Sequence, residues 1–389
     1  MSRTDEPILT GIRDAAADAS PSTAIEAVTR HLCGVFGASG ISFLTADLGG
    51  KALVRIVATP SGEVEEATVL PFDGGPRERA LRTQKVLVGD GPAGWTVFAP
   101  VVERGDVIGL LEIELPAEPT PETVTDIGTA AEAMAFVVIA NRRHTDIFEA
   151  GQRTTPVTLS AEIQRRLLPA AFTCEADTFA LSAWLEPSAS IAGDSFDYSL
   201  IGDVLHFSVT DAMGHGVESA LTATLCVGSL RNTRRRRRSL IDQAHEANDT
   251  VAERASPTGS YVTALLGRLN LRTGACALLN AGHVRPLLVR DGESREIALP
   301  LNFPLGMFVE AEFEAGSIAL EPGDRLVLLT DGMRDRDAAA LDIPAHLRKL
   351  ADRHPREAVR AIADAVLDLA GPTLADDAAL LILDWRGPI

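Results

Sequence analysis

"DVLHFSVTDAMGHGVESAL", residues 203–221, sets an apolar strand against an acid, a bare turn and a helical run. The period of two puts Leu205, Phe207, Val209 and Asp211 on one strand face, so the carboxylate continues the core-facing row. A lone inward carboxylate is costly unless it is paired or coordinates a cation. Three other stretches repeat the device. "DRLVLLTDG" (324–332) places Val327, Leu329 and Asp331 on one predicted face, with Gly332 opening the turn. "AGDSFD" (192–197) carries Asp194 behind a glycine, and "LADDAALLILDW" (374–385) sets Asp376 and Asp377 before a final strand.

Carboxylate oxygens without clustered His or Cys select hard cations, Mn²⁺ or Mg²⁺, over zinc. Several acids converging on one point hold two such ions, and a two-metal site activates a water for in-line displacement at phosphorus. The glycines of "AMGHG" let the backbone approach the ions and offer a carbonyl ligand.

The bulk properties agree with an enzyme of this kind. The 389 residues allow two or three domains, and 46% apolar with 23% charged residues is ordinary for a globular chain. A net charge of −18 speaks against nucleic acid and anionic membrane surfaces as partners. The four cysteines, Cys33, Cys174, Cys226 and Cys276, form no CxxC pair, which suits reduced thiols in the cytoplasm. The acid-bearing first 20 residues do not read as a signal peptide, and no window is expected to span a membrane.

Along the chain, residues 1–18 read as a polar tail. From 19 to 145 the order is helix, strands, helix. "STAIEAVTRHLCGVFG" (22–37) has helical spacing. "ISFLTADLGGKALVRIVAT" (41–59) reads as two strands joined through Gly49 and Gly50, and "GWTVFAPVVERGDVIGLLEIEL" (94–115) as a hairpin turning at "ERGD". A long helix follows from "PTPETV". Residues 146–170 read as a helical linker. Ile127, Met134 and Val137, then Leu159, Ile163 and Leu167, fit either helices packed on their own domain or a short parallel dimer coil. Residues 171–389 form the last domain.

The ordered motifs "AEIQRRLLP", "AGDSFDYSLIGDVLHFSVTDAMGHG", "NAGHVRPLLVR", "PLG", "LEPGDRLVLLTDGMRDRD" and "ADDAALLIL" resemble the bacterial metal-dependent (PPM, protein phosphatase 2C-like) serine/threonine phosphatases. They are most similar to the regulators of sporulation and stress sigma factors. The resemblance implies a β-sandwich flanked by helices. It makes Asp211 the acid bridging two Mn²⁺ or Mg²⁺ ions, with Ala212 offering its carbonyl. Asp194 would be a direct or water-mediated ligand, and Asp331 and Asp376 ligands, with Asp377 as neighbour. The implied reaction is hydrolysis of phosphoserine or phosphothreonine by metal-activated water. Met213 stands where eukaryotic relatives carry a general-acid histidine, and their phosphate-gripping arginine has no counterpart, so the leaving-group proton is unassigned. The N-terminal segment, chiefly through "VFAPVVERGDVIGLLEIEL", resembles a GAF domain, a sensory α/β module with some small ligand.

The whole therefore reads as an α+β chain: a GAF-like domain, a helical linker and a phosphatase sandwich, forming a cytoplasmic homodimer. The implied substrate is a phosphorylated anti-anti-sigma-type protein. A decayed dimeric binding module and a small-phosphoester hydrolase are the alternatives. His215, His283 and the arginines of "RNTRRRRRSL" (231–240) read first as turn or surface residues. A catalytic role is the alternative for the two histidines, and a docking role for the arginines.

Overall fold

In the computed structural model of the chain, the described residues are 5–47, 51–55, 68–91, 94–152, 158–187, 193–254, 260–334, 340–371, 374 and 376–388. They divide into two compact units, Met1–Pro156 and Val157–Ile389.

The first unit runs α1 (Asp5–Ala17), α2 (Ala24–Phe36), β1 (Gly40–Ala46), β2 (Ala52–Arg55), β3 (Thr68–Pro71), α3 (Pro76–Thr83), β4 (Leu87–Gly91), β5 (Gly94–Glu103), β6 (Asp106–Leu115), α4 (Pro121–Asn141) and α5 (Ile147–Gly151). Its antiparallel sheet has the order β3-β2-β1-β6-β5-β4. The β5–β6 hairpin turns at Arg104 and Gly105, both at positive φ, as "ERGD" promised. The Gly49–Gly50 turn lies outside the described residues. α1, α2 and α4 cover one face around Leu32, Ile113 and Met134, while α3 covers the other through Ala80 and Leu81 against Leu44, Phe98 and Leu110.

Two expectations change here. Residues 5–17 are a helix, not a polar tail, because Ile8 and Ile12, one turn apart, bury in the unit's core. Ile127, Met134 and Val137 are spent in that same core, which leaves them no coil seam. Among the described residues one helical stretch, Pro121–His144, is long and apolar enough to cross a membrane by length and composition, against the reading above. Seven of its residues are buried within the unit, as a core helix requires.

The second unit continues with α6 (Leu159–Leu167), β7 (Thr173–Ala176), β8 (Phe179–Glu186), β9 (Asp194–Ile201), β10 (Val204–Ala212), α7 (Gly216–Arg235), α8 (Leu240–Ala252), β11 (Val262–Asn270), β12 (Ala275–Ala281), β13 (Leu287–Arg290), β14 (Glu293–Glu296), β15 (Gly316–Ala319), β16 (Arg325–Leu329), α9 (Ile343–Lys349), α10 (Pro355–Ala370) and β17 (Ala378–Trp385). Two antiparallel sheets, β15-β12-β11-β10-β9 and β14-β13-β16-β17-β8-β7, form a sandwich. Leu205, Phe207 and Val209 from one sheet meet Leu326, Leu328, Leu381 and Leu383 from the other in the shared core. α7 and α8 cover the outer face of the first sheet, and α9 and α10 that of the second. The linker residues divide as well. α5 buries Phe148 in the first unit, whereas α6 opens the second and buries Leu167 there. All four cysteines are free thiols, and Cys33 is half-buried where the others are buried.

Candidate metal centre

Alternation brings the acids to one end of the sandwich. Asp194 and Asp211 are cross-strand partners at the open end of the β9–β10 ladder. Each is in register with residues that fill the inter-sheet core, Phe196 on β9 and Leu205, Phe207 and Val209 on β10. Asp377 shares the parity of Leu381, Leu383 and Trp385 on β17 and is buried.

Asp331 departs from its expected place. β16 ends at Leu329, and Asp331 begins a 3₁₀ turn through Met333, so its side chain is exposed. Val327 and Leu329 face α9 and α10 rather than the other sheet. The inward row is instead Leu326, Leu328 and Thr330. Thr330 is fully buried, and its hydroxyl donates to Asp194 Oδ2 (2.7 Å) while accepting from the Ala379 amide (2.9 Å). Thr330 was missed by sequence reasoning, though its parity with two core leucines was the available signal.

Backbone contacts lock the four segments together. Asp377 Oδ2 accepts from the Gly193 amide (3.0 Å), the Asp194 amide (3.4 Å) and Gln164 Nε2 (2.7 Å). Gln164, buried on α6, also donates to the Asp194 carbonyl (2.9 Å). The Asp377 amide donates to Asp376 Oδ1 (2.8 Å). The Ala212 amide donates to the Gly193 carbonyl (3.1 Å), and the Ala212 carbonyl accepts from Ser219 Oγ (3.0 Å). A Cβ on Gly193 would collide with the Ala212 oxygen, and one on Gly332 with the Asp377 oxygen. The glycines are there for close approach. Gln164 and Ser219 had no sequence signal, since both partner backbone atoms of other segments.

The electrostatics mark the same point. Burial, then the charges of Asp211 and Asp377, raises the Asp194 carboxyl well above the ordinary range, against the Thr330 bond that lowers it. Asp211 is pushed up to about 7, by burial first and then by Asp331, Asp376 and Asp377. Four predicted acids therefore act on Asp211 or Asp194, an excess of negative charge that bound cations would relieve. Among the described residues no three His, Cys, Asp or Glu side chains stand close enough to hold an ion as they lie. The donors fit hard divalent cations: carboxylate oxygens plus the Ala212 carbonyl, with no thiol or imidazole among them.

His283 is buried and bonded to Thr263 Oγ1 through Nδ1 (2.7 Å). Burial pushes it down to about 4. His215 is exposed at the start of α7. The arginine run is partly consumed by the fold. Arg234, with Arg231, pairs with Asp197 of β9 (2.7 and 2.8 Å), and Arg236 pairs with Glu246.

A family model described as Stage II sporulation protein E (SpoIIE) matches residues 202–386. The matched stretch lies within the second unit, which is thus similar to SpoIIE-type phosphatase domains. Among curated relatives, Phosphoserine phosphatase RsbP of Bacillus subtilis (strain 168) is 25% identical over 206 residues, 49% of this chain and 47% of RsbP. Protein IcfG of Synechocystis sp. is 25% identical over 202 residues, 45% of this chain and 32% of IcfG. The match thus spans less than half the length of either relative. Among solved structures, the RsbU and RsbW domains of a Mycobacterium tuberculosis protein are 25% identical, covering 55% of this chain and 61% of that one, at a TM-score of 0.48. The SiaA-PP2C domain of Pseudomonas aeruginosa is 21% identical, covering 58% and 93%, at 0.49.

Proposed function

We propose that the second unit is a phosphoprotein phosphatase for phosphoserine or phosphothreonine, dependent on two Mn²⁺ or Mg²⁺ ions. The observation that carries this reading is the meeting of Asp194 and Asp211 across one ladder, with Asp331, Asp376 and Asp377 within electrostatic reach. Asp211, Asp331 and Asp376 would hold the ions. Asp194, oriented by Thr330, acts directly or through water. Ala212 adds its carbonyl. Asp377 has one oxygen committed to three N–H donors, so it serves chiefly by tying the Gly193 loop to β17. Divalent cations held there would supply an activated water and charge stabilisation for in-line displacement at phosphorus. The buried floor of the site keeps bulk water from the Asp194 side.

The relatives guide the substrate. RsbP is by name a phosphoserine phosphatase, and an anti-anti-sigma-type phosphoprotein in the cytoplasm is the substrate we assign. The first unit is taken as a GAF-like sensory domain with a small ligand, in a homodimer. Control passes through the 146–170 segment and α6, whose Gln164 reaches both Asp194 and Asp377. The test compares a phosphoserine protein with p-nitrophenyl phosphate, with and without Mn²⁺, for the wild type and Asp211→Ala. Mn²⁺-dependent turnover of the phosphoprotein, lost in the variant, supports the proposal. No turnover in the wild type points to a binding module, and activity on the aryl phosphate alone to a small-phosphoester hydrolase.

A further inference from the structure

The segment between β14 and β15 exposes large apolar side chains in unusual density. Leu301 is 89% exposed and Val309 74%, with Phe303, Met307 and Phe308 between them also open to solvent. Such a patch on a soluble chain marks an interaction site more often than chance exposure.

The loop that carries it is firmly held. Leu305 pairs with Val262 through both backbone bonds (2.9 and 2.8 Å) and is itself fully buried. Asn302 Nδ2 donates to the Asn280 and Glu314 carbonyls, and its Oδ1 accepts from the Glu314 amide. Asn248 grips the Gly306 amide (2.9 Å) and the Phe308 carbonyl (3.0 Å). Phe303 and Phe308 stack edge to face, centroids 4.8 Å apart. The apolar groups are presented on a preorganised scaffold, which lowers the ordering cost of binding.

Its place is beside the candidate metal centre. Val262 opens β11, with Ala212 as its ladder partner on one side and Leu305 on the other. The loop therefore sits about 10 Å, two strand spacings, from the strand end that carries Asp211 and Ala212. Met213 follows that strand end and is exposed, and α7 adds Val217 and Leu221, exposed one turn apart.

Charge selects the occupant. Glu310, Glu312 and Glu314 follow the patch and are exposed, as are Asp249 on α8, which holds Phe308, and Glu253 at its C-terminal cap. A second copy would bring the same acids and a net charge of −18, so self-association through this face is opposed. The arginine run ends α7, whose 20 residues place it about 30 Å from the helix start beside Asp211, too far to share this surface.

We infer that the 301–309 loop, with Met213 and the first turns of α7, docks the phosphoprotein substrate through an apolar patch of that partner rimmed by lysine or arginine. The inference rests on the phosphatase reading above. Phe303 and Phe308 are the central anchors, and the acidic rim sets the orientation that brings the phosphoseryl group to the strand ends.

Two fluorescein-labelled phosphoserine peptides of equal length test this on the full chain, one flanked by Leu, Phe and Lys, the other by Ser and Gly. Binding is read by anisotropy, which needs no turnover, beside Mn²⁺-dependent hydrolysis of p-nitrophenyl phosphate. The wild type should bind the apolar-basic peptide at least tenfold more tightly. Phe303→Ser with Phe308→Ser should abolish that difference and leave aryl phosphate hydrolysis unchanged. Glu310→Lys with Glu312→Lys, which leaves the apolar anchors alone, should cut binding of the basic peptide several-fold. Equal binding of both peptides by the wild type overturns the inference, as does a preference that survives Phe303→Ser with Phe308→Ser. A shift of that variant from dimer to monomer in sedimentation would make the occupant a second copy and equally overturn it. Absence of aryl phosphate hydrolysis in the wild type would instead sink the phosphatase reading, with the binding result still deciding the docking surface.

Discussion

Replacing Asp211 by asparagine should make the metal-free protein more stable while destroying its response to metal. Its carboxyl stands at about 7, against an unfolded value near 4. A carboxyl raised on folding contributes stability that is present at low pH and lost as pH rises through the folded value. At pH 8 the ionised group therefore costs the fold about 4 kcal/mol by linkage. Solvent at the site mouth and imperfect hydrogen bonding of the amide reduce the recoverable part to about 2 kcal/mol. For a unit the size of Val157–Ile389 that is a rise in Tm of roughly 4–8 °C at pH 8. At pH 5 the folded carboxyl is protonated but the unfolded one is still largely ionised, so about 1.5 kcal/mol of the cost remains before the same reduction, and the gain should fall to under half its pH 8 value. Saturating Mn²⁺ reverses the order. The wild type should gain about 3 kcal/mol at a hundredfold excess over Kd, and the variant much less. Scanning calorimetry in chelator and in Mn²⁺, at pH 5 and pH 8, gives all four values. A variant less stable than wild type in chelator at pH 8, or a gain independent of pH, would refute the reasoning.

Other changes probe the supports of the site. Thr330→Val removes the hydroxyl shared by Asp194 and Ala379; expect a loss of about 1–3 kcal/mol in urea unfolding and weaker Mn²⁺ binding by calorimetric titration. Gln164→Ala should lower kcat by tenfold or more, with a Tm change of only a few degrees, because α6 keeps its Leu167 anchor; an unchanged kcat in the folded variant removes α6 from control. Leu167 itself is buried and is a poor probe, since a polar residue there would unfold the helix contact. His206 is buried between Arg234 and Arg268 and pushed down to about 4, by burial first and then by the two arginines. A lowered histidine contributes stability that is present above about 6.5 and lost as pH falls towards 4. His206→Gln should therefore shrink the Tm loss between pH 7 and pH 5 by about 1 kcal/mol equivalent, measured by thermal denaturation at both pH values.

The sandwich was legible where the period of two was clean. Leu205, Phe207, Val209 and Asp211 run inward as their spacing demanded, because β10 stays extended to Ala212. The same rule misplaced Asp331, since the strand stops two residues earlier and a 3₁₀ turn resets the parity. That error hid Thr330. Gln164 and Ser219 were invisible for another reason. Gln164 partners a carbonyl and a carboxylate far along the chain, and Ser219 a carbonyl across the turn from β10 to α7; no local pattern encodes such hydrogen bonds. α1 was overlooked because Ile8 and Ile12 lie among acids and alanines, too sparse a stripe to announce a buried face. The coil seam failed because helical spacing alone does not say which surface a stripe will meet. In α4 it met its own sheet.

Crystals of the full chain soaked in Mn²⁺ and measured at the manganese absorption edge would test the central claim most directly. The account predicts two anomalous peaks about 4 Å apart at the strand ends, both touching Asp211, with Asp331 and Asp376 drawn in. Peaks placed elsewhere, or none beside Asp211 at saturating metal, would contradict it.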